Sequence, residues 1–201
     1  MAYRLAIFDL GGVAVEVDSD RLVHQVSQLV GRTFEDVQDI IYHDELLLPF
    51  ELGRIHATVY YEGLAAKLKM PWTYEQFVRA WNGIFRENTG TTAIMKRLSQ
   101  QHRLIALTNT NALHLAHLKS TVSSLSVFEH WIASCDVGLR KPDPQFYRFA
   151  LERVDVAPHE AVYVDDRPEM VEAGTQIGLT AIRFESHQQL ERDLKSFGVS
   201  L

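Results

Sequence analysis

The chain has 201 residues, enough for one medium domain with a small insertion, and long enough to bury a core without disulfides or a structural metal. Hydrophobic residues make up 46% and charged residues 23%, which excludes disordered, collagen-like and low-complexity classes. With 20 Lys and Arg against 26 Asp and Glu, the net charge is −6, so the surface repels nucleic-acid phosphates and anionic membranes, and neither is an expected partner.

The first element is Leu5-Ala6-Ile7-Phe8, a continuous apolar run that ends at Asp9 and Gly11-Gly12. It predicts a strand buried on both faces, followed by a tight turn. Arg4 and Asp9 interrupt the apolar N-terminal stretch and no small-residue cleavage site follows it, so no leader is expected. No other run reaches membrane-spanning length. Cys135 is the only cysteine, which excludes an internal disulfide and fits a reducing compartment. A cytoplasmic location is the expectation.

From about Asp18 to Arg86 the pattern is helix after helix, with no strand run. Leu22, Val23, Val26, Leu29 and Val30 form one apolar stripe closed by Gly31; Thr33 with Asp36 and Thr73 with Gln76 resemble capping boxes. A later helix carries Phe77, Val78, Trp81, Ile84 and Phe85. Strands then resume at Leu104–Leu107, Trp131–Ala133, Ala161–Val164 and Thr180–Phe184. Between them, Ile94, Met95 and Leu98 share a helical face, Asn111 caps a helix with Leu115 and Leu118, Asp143-Pro144 reads as N-cap and N1, and a helix after Pro168 ends near Gly178. The expected fold is α/β: a Rossmann-like parallel sheet with helices on both faces and an inserted small helical cap. Its core is residues 1–17 and 87–201, and its cap 18–86.

In open parallel sheets, ligands bind beyond the carboxyl ends of the strands. Asp9, Thr108-Asn109 and Asp165-Asp166 each follow a strand at that end, and Lys141 lies in a loop after another. Three neighbouring acids repel, and a hard cation is their natural compensation. Magnesium takes oxygen ligands and keeps waters that a phosphate displaces. Lysine attracts an anionic substrate, and glycine amides approach phosphate oxygens. Together these groups describe a phosphoryl site.

Phe8-Asp9-Leu10-Gly11-Gly12-Val13, Leu107-Thr108-Asn109-Thr110-Asn111, Arg140-Lys141-Pro142 and Val164-Asp165-Asp166 resemble, in order, the four motifs of the haloacid dehalogenase-like hydrolase superfamily. Within it, the chain looks most like small bacterial sugar-phosphate phosphatases that act on α-glucose 1-phosphate. The resemblance implies that the Asp9 carboxylate attacks phosphorus and forms an aspartyl-phosphate that water hydrolyses. It implies that Thr108 and the Asn109 amide hold the phosphoryl oxygens, and that Lys141 neutralises charge and positions the nucleophile. It implies magnesium held by Asp9, the Gly11 carbonyl and Asp166, with Asp165 direct or through water. The substrate would be a small phosphorylated metabolite, and the protein a monomer or homodimer.

One departure stands out. Most phosphatases of this superfamily carry a second aspartate two residues after the nucleophile as general acid; here that residue is Gly11. Such a group is typically worth about 10²- to 10⁴-fold. Either the leaving group departs readily, or Glu16, Asp18, His24 or His43 enters the site as a replacement acid. Arg21, His24, His43 and Arg54 are the polar candidates for substrate selection on the cap. The competing functions are a metal-independent 2-haloacid dehalogenase and a catalytically weakened phosphometabolite-binding protein. Trp72, Trp81, Tyr60 and Tyr61 read as cap core, His114 and His117 as an exposed helix face, and Cys135 as buried and inert.

Overall fold

The computed structural model describes residues 3–201. The chain begins with β1 (Leu5–Phe8) and β2 (Val15–Val17), then runs through α1 (Ser19–Val30), α2 (Phe34–Tyr42), α3 (Leu47–Glu51), α4 (Ala57–Leu68) and α5 (Tyr74–Asn82). It returns through β3 (Phe85–Glu87) and α6 (Thr89–Leu98) to β4 (Arg103–Thr108), α7 (Ala112–Thr121), β5 (His130–Ala133) and α8 (Ser134–Val137). Then follow α9 (Pro144–Val154), β6 (Ala161–Asp165), α10 (Pro168–Gln176), β7 (Thr180–Arg183) and α11 (His187–Ser196).

The main sheet has the order β5-β4-β1-β6-β7, and every pairing in it is parallel. Alternation along each strand divides the side chains between two cores. Ala6, Phe8, Leu104, Ala106, Val162 and Val164 pack against Ile94, Met95 and Leu98 of α6 and Leu190 and Leu194 of α11. Leu5, Ile7, Ile105, Leu107, Ala161 and Tyr163 meet Phe146, Tyr147, Ala150 and Leu151 of α9 and Ala173 of α10. Both faces of the strands are therefore covered, which is why they read as unbroken apolar runs.

The helices α1 to α5 bury a third core of their own, built from Leu22, Val23, Val26, Ile41, Tyr60, Leu64, Phe77 and Trp81. Their caps follow the sequence: Thr33 accepts from the Asp36 amide, and Thr73 with Gln76 forms a complete capping box. Such caps contribute about 1 kcal/mol each. The expectation of helices without strands fails at one place. Phe85 and Arg86 belong to β3, which pairs antiparallel with β2 so that the chain leaves and re-enters the sheet domain through a two-stranded ribbon. The later helix stops at Asn82, so Ile84 and Phe85 lie beyond it. Three-residue strands carry too little alternation to be recognised, and the apolar residues after Gly83 pack on neighbouring helices rather than continuing α5. Among the described residues no helix is long and apolar enough to cross a membrane.

Candidate active site

Parallel pairing brings several strand ends to one edge. The Asp9 amide donates to the Val164 carbonyl at 2.9 Å, extending the β1–β6 register by one step and setting Asp9 level with Asp165. Thr108 closes β4 on the other side of β1 and is buried. Lys141 arrives on a loop, and Asn109 holds it there through two reciprocal bonds: Asn109 Nδ2 donates to the Lys141 carbonyl at 2.9 Å, and the Lys141 amide donates to Asn109 Oδ1 at 2.8 Å.

The Lys141 side chain is 1% exposed, and its Nζ lies 3.0 Å from Asp9 Oδ1 and 2.6 Å from Asp165 Oδ2. Asp9 Oδ1 also accepts from the Leu10 amide at 2.7 Å. Asp165 is fully engaged. Tyr163, two residues back on the same face of β6, donates its hydroxyl to Oδ2, and the Arg167 amide donates to Oδ1 at 2.9 Å. Asp165 therefore anchors the lysine and the start of α10. Of the two acids expected at this strand end, Asp166 is the one that lines the cleft.

Burial is the largest influence on the Asp9 carboxyl and raises it to about 6; Lys141 opposes the rise and Asp165 adds to it. The Asp166 carboxyl is also raised, by burial first and then by Asp165. Both shifts describe acids packed together with less positive charge than they need.

Each of Asp9, Asp165 and Asp166 offers an oxygen within 4.8 Å of the others. A cation suits the uncompensated part of this set. The donors are hard oxygens, as magnesium requires, and Lys141 satisfies only Asp9 Oδ1 and Asp165 Oδ2. Gly12 has φ +76°, and a Cβ there would overlap the Asp166 carboxylate. Only glycine lets this acid approach the loop after Asp9.

These groups face a cleft of about 570 Å³. Asp9, Gly11, Gly12, Thr108, Asn109, Lys141 and Asp166 line it, so every expected site residue except Asp165 reaches it. It is also lined by Val17, Ser19, Arg167 and Met170, which the motifs did not single out. Arg167 follows the acidic pair directly and Met170 lies one helical turn further on, and that proximity is the signal the sequence carries.

None of the proposed replacement acids lines the cleft. Asp18 caps α1 by accepting from the Arg21 amide at 3.2 Å, Glu16 is exposed, His43 pairs with Asp39 at 2.9 Å, and His24 packs on Phe34. Nor do the other selection candidates reach it: Arg21 is exposed, and Arg54 lines a separate depression with His56 and Tyr74. Local capping and helix-surface roles account for Asp18 and His43.

The loop after β4 is instead tied to α3 by polar contacts through Ser134. Ser134 Oγ accepts from the Thr110 amide at 2.9 Å and lies 2.7 Å from the Glu51 carbonyl at the end of α3. His114 corrects the expectation of an exposed face. Its Nδ1 lies 3.1 Å from Asn111 Nδ2 and its Nε2 lies 3.1 Å from the Trp81 carbonyl, a pattern that makes Nδ1 the acceptor and Nε2–H the donor. The ring stacks on Trp81, and burial pushes it down to about 3, so it is neutral. Cys135 is half-buried rather than buried; burial pushes its thiol up to about 11, which leaves it unreactive at neutral pH.

Residues 3–178 match the haloacid dehalogenase-like hydrolase family. A sesquiterpene phosphatase of Aspergillus oryzae is 28% identical over 186 residues, covering 90% of this chain and 89% of the relative. A D-ribitol-5-phosphate phosphatase of Bacteroides thetaiotaomicron is 24% identical over 196 residues, covering 94% and 95%. The fold matches that of a HAD family enzyme from Bacteroides thetaiotaomicron in complex with magnesium and inorganic phosphate, with TM-score 0.82, 20% identity and 92% and 95% coverage. With the motif residues gathered on one cleft and nearly nine-tenths of its length matched, the chain belongs to the haloacid dehalogenase-like hydrolases.

Proposed function

We propose that the protein is a magnesium-dependent phosphatase of a small phosphorylated metabolite, with a sugar phosphate as the favoured substrate. The observation that carries this reading is the asymmetry around Asp9. One oxygen is held by Lys141 and the Leu10 amide, the carboxylate lines an open cleft, and a second acid, Asp166, lines the same cleft. The names of the relatives, phosphatases of a sesquiterpene and of a sugar-alcohol phosphate, support the same class.

In this reading Asp9 attacks phosphorus and carries the phosphoryl group until water releases it. Lys141, fixed by Asp165 and Asn109, keeps Asp9 ionised and its charge compensated. Thr108 and backbone amides beside it receive phosphoryl oxygens. Asp9, Asp166 and the Gly11 carbonyl would hold magnesium. When bound, the cation supplies the charge neutralisation that lets one anion approach another. The helical segment 18–86 acts as a cap over one side of the cleft, to which Val17 and Ser19 contribute at its root.

The test is a screen of phosphorylated metabolites with magnesium, repeated in EDTA and with Asp9→Asn. Turnover that disappears in EDTA, returns with magnesium and is absent in the variant supports the reading. Turnover of 2-haloacids that survives EDTA would replace it with the dehalogenase.

A further inference from the structure

The wall of the cleft around Gly11 has an unusual makeup. A Cβ built on Gly11 would stand 3.3 Å from Val17 Cγ2, so the position two residues after Asp9 carries no acid and is bordered by hydrocarbon. Val17, Ser19, Met170 and Arg167 also line the cleft. Apart from Asp9 and Asp166, the described lining residues hold no carboxyl, imidazole or phenol to protonate a departing oxygen. They do hold two cations. Lys141 is committed between Asp9 and Asp165, whereas the Arg167 side chain lines the same cleft and is 54% exposed.

Arg167 is also well fixed. Its amide is bonded to Asp165 Oδ1, and its Nε donates to Glu169 at 2.9 Å, with Nη2 on the same carboxylate oxygen. That grip uses one edge of the guanidinium and leaves Nη1 available. Arginine keeps its charge throughout the working pH range, so it stabilises an anion without donating a proton to it.

We propose that Arg167 receives the leaving oxygen as it departs, replacing by charge the acid missing at Gly11, and so sets which phosphate esters this enzyme turns over. The inference rests on the phosphatase reading above. As an Asp9 oxygen bonds to phosphorus, the bond from phosphorus to the leaving oxygen breaks, and its electron pair stays on that oxygen. The oxygen leaves as an anion against the guanidinium and takes its proton from water on release. A water molecule then attacks phosphorus and loses a proton to solvent, giving inorganic phosphate and free Asp9. The class of substrate that fits is an ester whose leaving group departs as an oxyanion: an anomeric hydroxyl, an enol, a phenol or an acid.

The test compares kcat/KM, which reports the steps through leaving-group departure, for wild type, Arg167→Met and Arg167→Lys in saturating magnesium. The probes are phenyl phosphate, a poor leaving group, and 4-nitrophenyl phosphate, a good one. The methionine variant should lose about 10²-fold on phenyl phosphate and about threefold or less on 4-nitrophenyl phosphate, with lysine between. Thermal midpoints of the three proteins, measured in parallel, separate misfolding from this effect. Equal losses on both probes, or no loss, would overturn the role of Arg167. No turnover of either probe or of any phosphorylated metabolite by the wild type would instead overturn the phosphatase reading beneath it.

Discussion

Replacing Lys141 with methionine tests how the site is held together. The ammonium is 1% exposed and compensates Asp165, which is 0% exposed, at 2.6 Å, and Asp9 at 3.0 Å. Methionine fills the space but leaves two packed carboxylates facing each other. Removing one partner of a buried pair costs about 3–5 kcal/mol. For a chain of this size that corresponds to a fall of about 6–20 °C in the thermal midpoint. The sign of the pH dependence follows from Asp9, whose carboxyl already stands above its ordinary 3.8, at about 6, and rises further without the lysine. A carboxyl raised in the folded state costs stability when ionised, and that cost disappears as the pH falls through its folded value. The deficit of Lys141→Met should therefore be largest near neutral pH and shrink towards pH 5. Calorimetry on metal-free protein across that range measures it. A midpoint within about 2 °C of wild type at neutral pH, or a deficit that grows on acidification, would refute the reasoning.

The other predictions concern the cation and the nucleophile. Gly12→Ala places a methyl group on the Asp166 carboxylate at a backbone φ of +76°, so the magnesium concentration for half-maximal turnover should rise about tenfold or more, measured by titrating activity with metal. Asp166→Asn should raise it similarly, without the loss of stability that a left-handed alanine brings. Asp9 must be ionised to attack, so kcat/KM should fall on the acid side with a midpoint near 6 at low magnesium. Saturating magnesium favours the anion and should move that midpoint down; a midpoint that rises or stays fixed contradicts a cation beside Asp9.

Much of this architecture is legible from a single chain because the strands of the parallel sheet are buried on both faces. Leu5–Phe8 and Ala161–Val164 appear as uninterrupted apolar runs, and the polar residues that end them mark the ligand edge. Short elements and contacts between distant segments are not legible in that way. The β2–β3 ribbon offers three residues a side, too few for alternation to show, and only Gly83 at the end of α5 signals that Phe85 lies beyond the helix. His114 looks exposed because Leu115 and Leu118 mark the buried side of α7, yet Trp81 from the insertion covers it. Asp165 and Asp166 are adjacent acids whose roles diverge only because alternation along the strand turns the first towards Tyr163 and Lys141. Val17, Ser19, Arg167 and Met170 come together only in three dimensions, because β2 and the start of α1 are far in sequence from α10.

The central claim is that Asp9 is the atom-bearing nucleophile of a cation-dependent phosphoryl site. A crystal grown with magnesium and beryllium fluoride tests it directly. The expected result is a beryllofluoride group bonded to an Asp9 oxygen, with magnesium beside it contacting Asp9, Asp166 and the Gly11 carbonyl. An adduct on another residue, or magnesium bound away from Asp9 while the enzyme remains active, would contradict it.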